Sequence, residues 1–152
     1  MAFSPDGTYL ATGDEAGRVT LWDGTAERNL GVLPGTFRTN TTGGFVPITA
    51  LAFSHNGRTL AAAGADGTLR TWDLASRQPL GPAIPMPGGA ALSLAFSPDD
   101  HTLRAATEHA PGHEVVVAPD REAADICERA GGGLPQADWK TYLPEVPYRN
   151  VC

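Results

Sequence analysis

The sequence predicts an all-β chain made of repeated antiparallel sheets, and three observations carry that prediction. First, Phe3-Ser4-Pro5-Asp6-Gly7 with Gly17-Arg18-Val19-Thr20-Leu21-Trp22-Asp23 recurs as Phe53-Ser54-His55-Asn56-Gly57 with Gly67-Thr68-Leu69-Arg70-Thr71-Trp72-Asp73. One constant shift of about 50 residues aligns the whole unit, a period that marks stacked supersecondary units. A third start, Phe96-Ser97-Pro98-Asp99-Asp100, follows. Second, turn signals fall between short runs rich in β-branched and aromatic residues, as hairpins require. Third, the 152 residues include 18 Gly and 13 Pro. That composition suits many short strands, and the length suits one domain.

The elements follow in order. Met1 to Ser4 reads as the stub of a strand, so the first unit begins in mid-strand. Pro5-Asp6-Gly7 is a tight turn, because Pro presets φ, Asp bonds its own backbone and Gly accepts positive φ. Thr8 to Thr12 and Val19 to Trp22 are strands joined by the turn Asp14-Glu15-Ala16-Gly17, and residues 28–33 are an outer strand. Pro34 to Pro47 is a long connection, a length often associated with function. In the second unit, Ile48 to Phe53 is the inner strand. Alternation puts Ile48, Ala50 and Ala52 on one face and Leu51 and Phe53 on the other. Its turns are His55-Asn56-Gly57 and Ala65-Asp66-Gly67, and Pro79, Pro82, Pro85 and Pro87 blunt its outer edge. The third unit has strands at 91–96, 102–106 and 114–117, with Ala118-Pro119 standing roughly where Trp-Asp would fall. Asp120 to Ala130 then reads as a helix capped by Asp120 and ended by Gly131-Gly132-Gly133. Pro135 to Leu143 reads as a shorter helix, and Val146 to Cys152 as extended chain.

Two copies of Phe-Ser-x-x-Gly followed by x-Trp-Asp resemble WD-repeat β-propeller blades, each a four-stranded antiparallel sheet set radially round a channel. The fold class is therefore all-β: a partial β-propeller of two to three four-stranded antiparallel blades with a short helical C-terminal tail. Residues 1–119 hold the blades, at about 1–33, 48–84 and 91–119, and residues 120–152 the tail. The resemblance implies a non-catalytic protein-interaction platform. In that family a Trp, a turn Asp, a hydroxyl and a His form a hydrogen-bonded tetrad. Trp72 and Asp66 match its first two members; Trp22 matches too, but Ala16 holds its turn position, and the His is missing from both units. Trp22, Asp23, Asp66, Trp72 and Asp73 are accordingly expected to be structural. Cys127 to Cys152, through Arg-Ala-Gly-Gly-Gly-Leu, Trp139, Tyr-Leu-Pro and Val-Pro-Tyr-Arg, is similar to the carboxyl-terminal extension of large bacterial proteins in which a STAND-type ATPase or kinase precedes a WD-repeat sensor. That similarity implies the last piece of a larger signalling protein.

Net charge is −6. This argues against nucleic acid, whose readers carry basic patches, and against anionic lipid. No apolar run approaches the roughly 20 residues of a membrane helix, and no charged-then-apolar leader opens the chain, so a cytoplasmic location is expected. Ten of the 11 cationic residues are Arg, which reads as the coding bias of a GC-rich bacterium. Cys127 and Cys152 are either free thiols or a bridge pinning the tail, and the spacing leaves both open. His109, His113 and Glu114 form the one metal-like constellation, and would support the alternative of a metal-assisted hydrolase. Pro111 and Gly112 forbid the helix that would align the two imidazoles, so a solvated turn is expected instead. There is no phosphate loop, dinucleotide loop or nucleophile elbow, so neither catalytic residues nor a cofactor are expected. The candidate partner contacts are Phe37, Arg38 and Phe45 in the long connection, with Val46 beside them, and Arg70 and Asp14 at the rims. Propellers typically use 4–8 blades. Three cannot close a ring, so the exposed faces are expected to meet a copy of the chain or another protein, if the chain is not a remnant.

Overall fold

A computed structural model describes residues 1–36, 43–110, 112–117 and 128. The chain divides into two units, Met1–Val117 and Ala118–Cys152. The expected tail helices, apart from Glu128, lie outside the described residues, as do Phe37, Arg38, Cys127 and Cys152.

Among the described residues, twelve strands form three antiparallel sheets, one per sequence unit. Blade 1 is β1 (Ala2–Phe3), β2 (Tyr9–Gly13), β3 (Val19–Asp23) and β4 (Asn29–Val32), in that spatial order. Blade 2 is β5 (Ile48–Phe53), β6 (Thr59–Gly64), β7 (Thr68–Asp73) and β8 (Gln78–Pro79), with β9 (Ile84–Pro85) also pairing with β7. Blade 3 is β10 (Ala91–Phe96), β11 (Thr102–Thr107) and β12 (His113–Val116). The expected all-β, blade-like architecture is what the described residues adopt. The outer strand of blade 2 is two X-Pro pieces, because proline cannot donate to a ladder and is tolerated only at an edge.

Blade 2 buries both faces, one against blade 1 and one against blade 3. Ala11, Val19, Leu21 and Leu33 of blade 1 meet Leu60, Ala62, Trp72 and Leu74 of blade 2 in one core cluster. Ala61, Ala63, Leu69 and Met86 of blade 2 meet Ala91, Phe96, Leu103, Ala105 and Val115 of blade 3 in the other. Alanines on β6 let the sheets approach closely, while Trp72 and the leucines fill the gaps left between them. Each fully buried Leu or Val contributes about 1.5–3 kcal/mol.

Two details correct the expectations from sequence. Ile48 does not share a face with Ala50 and Ala52. It packs with Leu51 and Phe53 toward blade 1, while Ala50 packs toward blade 3. The pairing register skips Thr49. One extra residue in a strand reverses the inside–outside alternation beyond it. The same irregularity recurs at Leu92 in β10. Secondly, the Trp-Asp position of blade 3 is Val115-Val116, not Ala118-Pro119. Leu10 pairs with Trp22, Leu60 with Trp72 and Leu103 with Val115. Val115 is buried in the interblade cluster, so a smaller side chain holds the indole's place.

Candidate interaction rim

The two ends of the blades are built differently. At one end the turns before β3 and β7 are stitched to the connections between blades. Ile48 N–H donates to the Asp14 carbonyl (3.0 Å), Ala65 N–H to Pro47 (2.8 Å) and Met86 N–H to Gly67 (2.7 Å). Gly17 sits at φ +76°, and a β-carbon there would lie 2.6 Å from the Val46 carbonyl, so the turn and the connection touch backbone to backbone. Thr36 is buried and its hydroxyl donates to the Leu33 carbonyl (2.9 Å).

Three of the five candidate partner contacts can be placed on this end. Phe45 is 54% exposed. Val46 beside it is buried, which removes it from the contact surface proposed for the connection. Asp14 is half-buried, accepts Arg18 N–H (2.9 Å) and pairs with the Arg18 guanidinium at 2.6 Å. Burial pushes its carboxyl up, but the Arg18 hydrogen bonds and charge outweigh that and hold it below the usual carboxylate range. Arg70 is half-buried and lines a cavity of about 20 Å³ with Thr36, Val46, Ala62 and Trp72. Its guanidinium lies against Gly35. Asp14 and Arg70 each have a neighbour within the chain, and Phe45 is more exposed than Val46 beside it.

The tetrad, expected to be incomplete, gives way to shorter arrangements. Trp22 Nε1–H donates to Thr12 Oγ1 (3.0 Å). Ala62 stands at Thr12's place in blade 2, and Trp72 Nε1–H donates instead to the Pro34 carbonyl (2.9 Å). Asp66 is exposed, not buried, and accepts from Thr68 N–H and Oγ–H within its own turn (3.1 and 2.6 Å).

At the opposite end, one device repeats three times. Ser4, Ser54 and Ser97 donate to the side chains of Asp6, Asn56 and Asp99, and accept from Tyr9, Thr59 and Thr102 N–H. The repeated Phe-Ser-x-x pattern therefore encodes a turn lock. The Ser4 and Thr8 hydroxyls and Thr8 N–H lower the Asp6 carboxyl to about 2. Asp6→Asn is expected to fold, because Asn56 holds the same place in blade 2. A folded pKa below the unfolded one adds stability above the unfolded value that is lost as pH falls through the folded one. The variant should therefore show a shallower decline in urea-unfolding stability between 3.8 and about 2 than the parent. Asp23 accepts Glu27 and Arg28 N–H, and Asp73 accepts Ser76 N–H and Oγ–H. Both aspartates of the Trp-Asp pairs thus close the following turn.

Sequence reasoning missed Asp100. It takes the glycine position of this turn, at φ +58° beside +70° for Gly7 and +68° for Gly57. Its carboxylate reaches blade 2, accepting His55 N–H (2.6 Å) and Asn56 N–H (2.9 Å) and meeting His55 Nδ1 at 3.0 Å. An aspartate where two units carry glycine was the available signal.

The metal-like constellation is dispersed. Glu114 is paired with Arg104 at 2.7 Å, and His109 Nδ1 lies 3.3 Å from the Gly88 carbonyl. His113 is half-buried on β12. No three His, Cys, Asp or Glu side chains gather into a metal site among the described residues. Among them, too, no helix is long and apolar enough to cross a membrane.

The geometry can be set beside known proteins. Residues 1–23 and 31–73 match the family model described as WD domain, G-beta repeat. The chain is 31% identical over 113 residues to WD repeat-containing protein 70 of Xenopus laevis, covering 66% of this chain and 16% of that protein. It is 41% identical over 73 residues to pre-mRNA-processing factor 19 homolog 2 of Arabidopsis thaliana, 48% of this chain and 12% of that protein. Small ribosomal subunit protein RACK1 of Caenorhabditis elegans is 33% identical over 112 residues, 68% of this chain and 31% of that protein. The chain thus spans less than a third of the length of each.

Proposed function

We propose that this chain, a WD-repeat protein, is a non-catalytic binding platform that holds a protein partner at the rim carrying Phe45. One observation supports the reading above the others. An exposed aromatic is mounted on connections tied to the adjacent turns by backbone hydrogen bonds. A rigid aromatic anchor contributes contact area at low conformational cost, as interface hot spots do. The relatives are WD-repeat proteins, and repeats of this kind mediate protein–protein contact. The finer reading is a cytoplasmic bacterial sensor whose rim recruits a partner, the chain being the terminal part of a larger signalling protein. The tail motifs between Cys127 and Cys152 support its signalling part, and the excess of Arg over Lys supports a bacterial source.

Phe45→Ser tests the rim. Affinity capture from the source cells should recover a partner with the parent chain, and at least tenfold less with the variant at an unchanged melting temperature. Equal recovery by both proteins, or no saturable partner for the parent, would remove the rim from the function.

A further inference from the structure

We propose that Asn56 is a site of spontaneous deamidation, and that the contact from Asp100 in blade 3 sets how fast it reacts. The site lies at the end of the blades opposite Phe45 and goes beyond the platform reading.

Three observations place the reaction here. The asparagines are Asn29, Asn40, Asn56 and Asn150, and Asn56 alone is followed by glycine. Glycine has no β-carbon to shield its amide nitrogen from the side chain before it. Asn56 is exposed, and a β-carbon at Gly57 would meet nothing within 4 Å, so water reaches the pair. Finally, the same turn position is Asp6 in blade 1 and Asp99 in blade 3, each accepting the hydroxyl of its own serine. The turn therefore already accommodates the product.

The chemistry needs only water. The Gly57 amide gives its proton to water and its nitrogen attacks Asn56 Cγ. The Cγ–Nδ2 bond breaks, and Nδ2 takes up a proton and leaves as ammonia. Water then opens the cyclic imide. Opening at Cγ gives aspartate; opening at the main-chain carbonyl carbon gives isoaspartate, with an extra carbon in the backbone.

The folded turn restrains both reacting groups. Gly57 N–H donates to the Ser54 carbonyl (3.0 Å), and Asn56 Oδ1 accepts Ser54 Oγ–H (2.9 Å) and Arg58 N–H (2.8 Å). Beyond the turn, His55 N–H and Asn56 N–H are clipped to the Asp100 carboxylate. Attack requires the Asn56 backbone to rotate until the Gly57 nitrogen meets Cγ, so these bonds must open first. Pro5 and Pro98 stand where blade 2 has His55, and proline has no N–H to donate. The unit with an amide in its turn lock is thus the unit that its neighbour clips. When opening and closing are fast, reaction follows the population of the open turn. The product then acts back on the clip. A carboxylate on residue 56 lies beside Asp100 and repels it, so conversion loosens blade 3 from blade 2.

The whole chain, incubated folded at mildly alkaline pH and mapped by peptide mass, tests this. The parent is expected to convert slowly at Asn56, and far faster in urea. Asp100→Gly and His55→Pro each install the residue of a sibling unit and remove clip bonds. Each should convert roughly tenfold faster than the parent while folded. In Asn56→Asp, hydrogen exchange at the His55 amide should quicken. A parent that converts as fast folded as in urea, folded variants that match the parent, or no conversion even in urea would overturn the proposal. Unchanged exchange in Asn56→Asp would overturn its effect on the clip. Should circular dichroism show Asp100→Gly to be unfolded, His55→Pro is read by the same criteria.

Discussion

Trp72→Ala is expected to lower the unfolding free energy by about 3–5 kcal/mol, the cost of emptying a large aromatic site in a packed core. Trp72 is 1% exposed and sits in the cluster that joins blades 1 and 2. The truncation also strands the Pro34 carbonyl that accepts its N–H. Against a typical total of about 5–15 kcal/mol, this is a large share. The melting temperature should fall by roughly 10 °C. Trp22→Ala should cost only about 1–2 kcal/mol, since the half-buried Trp22 forfeits less area. Thermal unfolding of the two variants side by side is the measurement. Equal losses would mean that the indoles stabilise their own sheets rather than the contact between them.

Replacement of Asp100 is expected to have the second largest effect, by loosening blade 3 from blade 2. Asp100→Ala removes the acceptor for two backbone N–H groups and should cost about 2–3 kcal/mol, since hydrogen bonds to charged groups exceed neutral ones. Its side chain is 13% exposed, so screening by water takes away only part of this. Asp100→Gly loses the same bonds but relieves the left-handed backbone, and should be about 1 kcal/mol more stable than the alanine variant. Comparing the two separates the clip from the conformational term.

The clip also has a pH signature. Burial raises the Asp100 carboxyl, but the N–H bonds from His55 and Asn56 outweigh it, and its pKa falls below 3.8. The folded chain therefore keeps this proton off at lower pH than the unfolded chain does. The contribution is complete above 3.8 and is lost as pH falls through the lowered folded value. Asp100→Asn should flatten that part of the stability profile. Hydrogen exchange should locate the change at the amides of His55 and Asn56. Faster exchange confined to residues outside the 54–57 turn would rule the clip out.

Much of this was readable before any coordinates. Turn residues and alternating runs placed the strands, because glycine, proline and aspartate constrain the backbone locally. The rim was readable in part. Phe45 stood out as an aromatic in a long connection, but nothing in the sequence separated it from Val46, which turned inward. Asp14 and Arg70 looked like contacts because charges usually face water. That Asp14 pairs with Arg18 and that Arg70 lines the cavity beside Trp72 could not be read from the sequence. The bulge at Thr49 was hidden because strand alternation is legible only while the register is unbroken. The Val115 position could have been found by carrying the offset through, since Leu103 and Val115 keep the spacing of Leu60 and Trp72. Looking for the residue type concealed it.

The sequence by itself determined the sheets, their hairpin order and the locked turns, because those rest on neighbours in the chain and on a repeat that copies them. The tertiary structure alone decided how each copy is used. Trp22 and Trp72 share a motif and a strand position, yet one N–H finds Thr12 in its own sheet and the other finds Pro34 in the preceding connection. Trp72 is sealed and Trp22 is half-open. The reason is physical: burial belongs to a pair of surfaces, and a repeat specifies one surface without saying what lies against it.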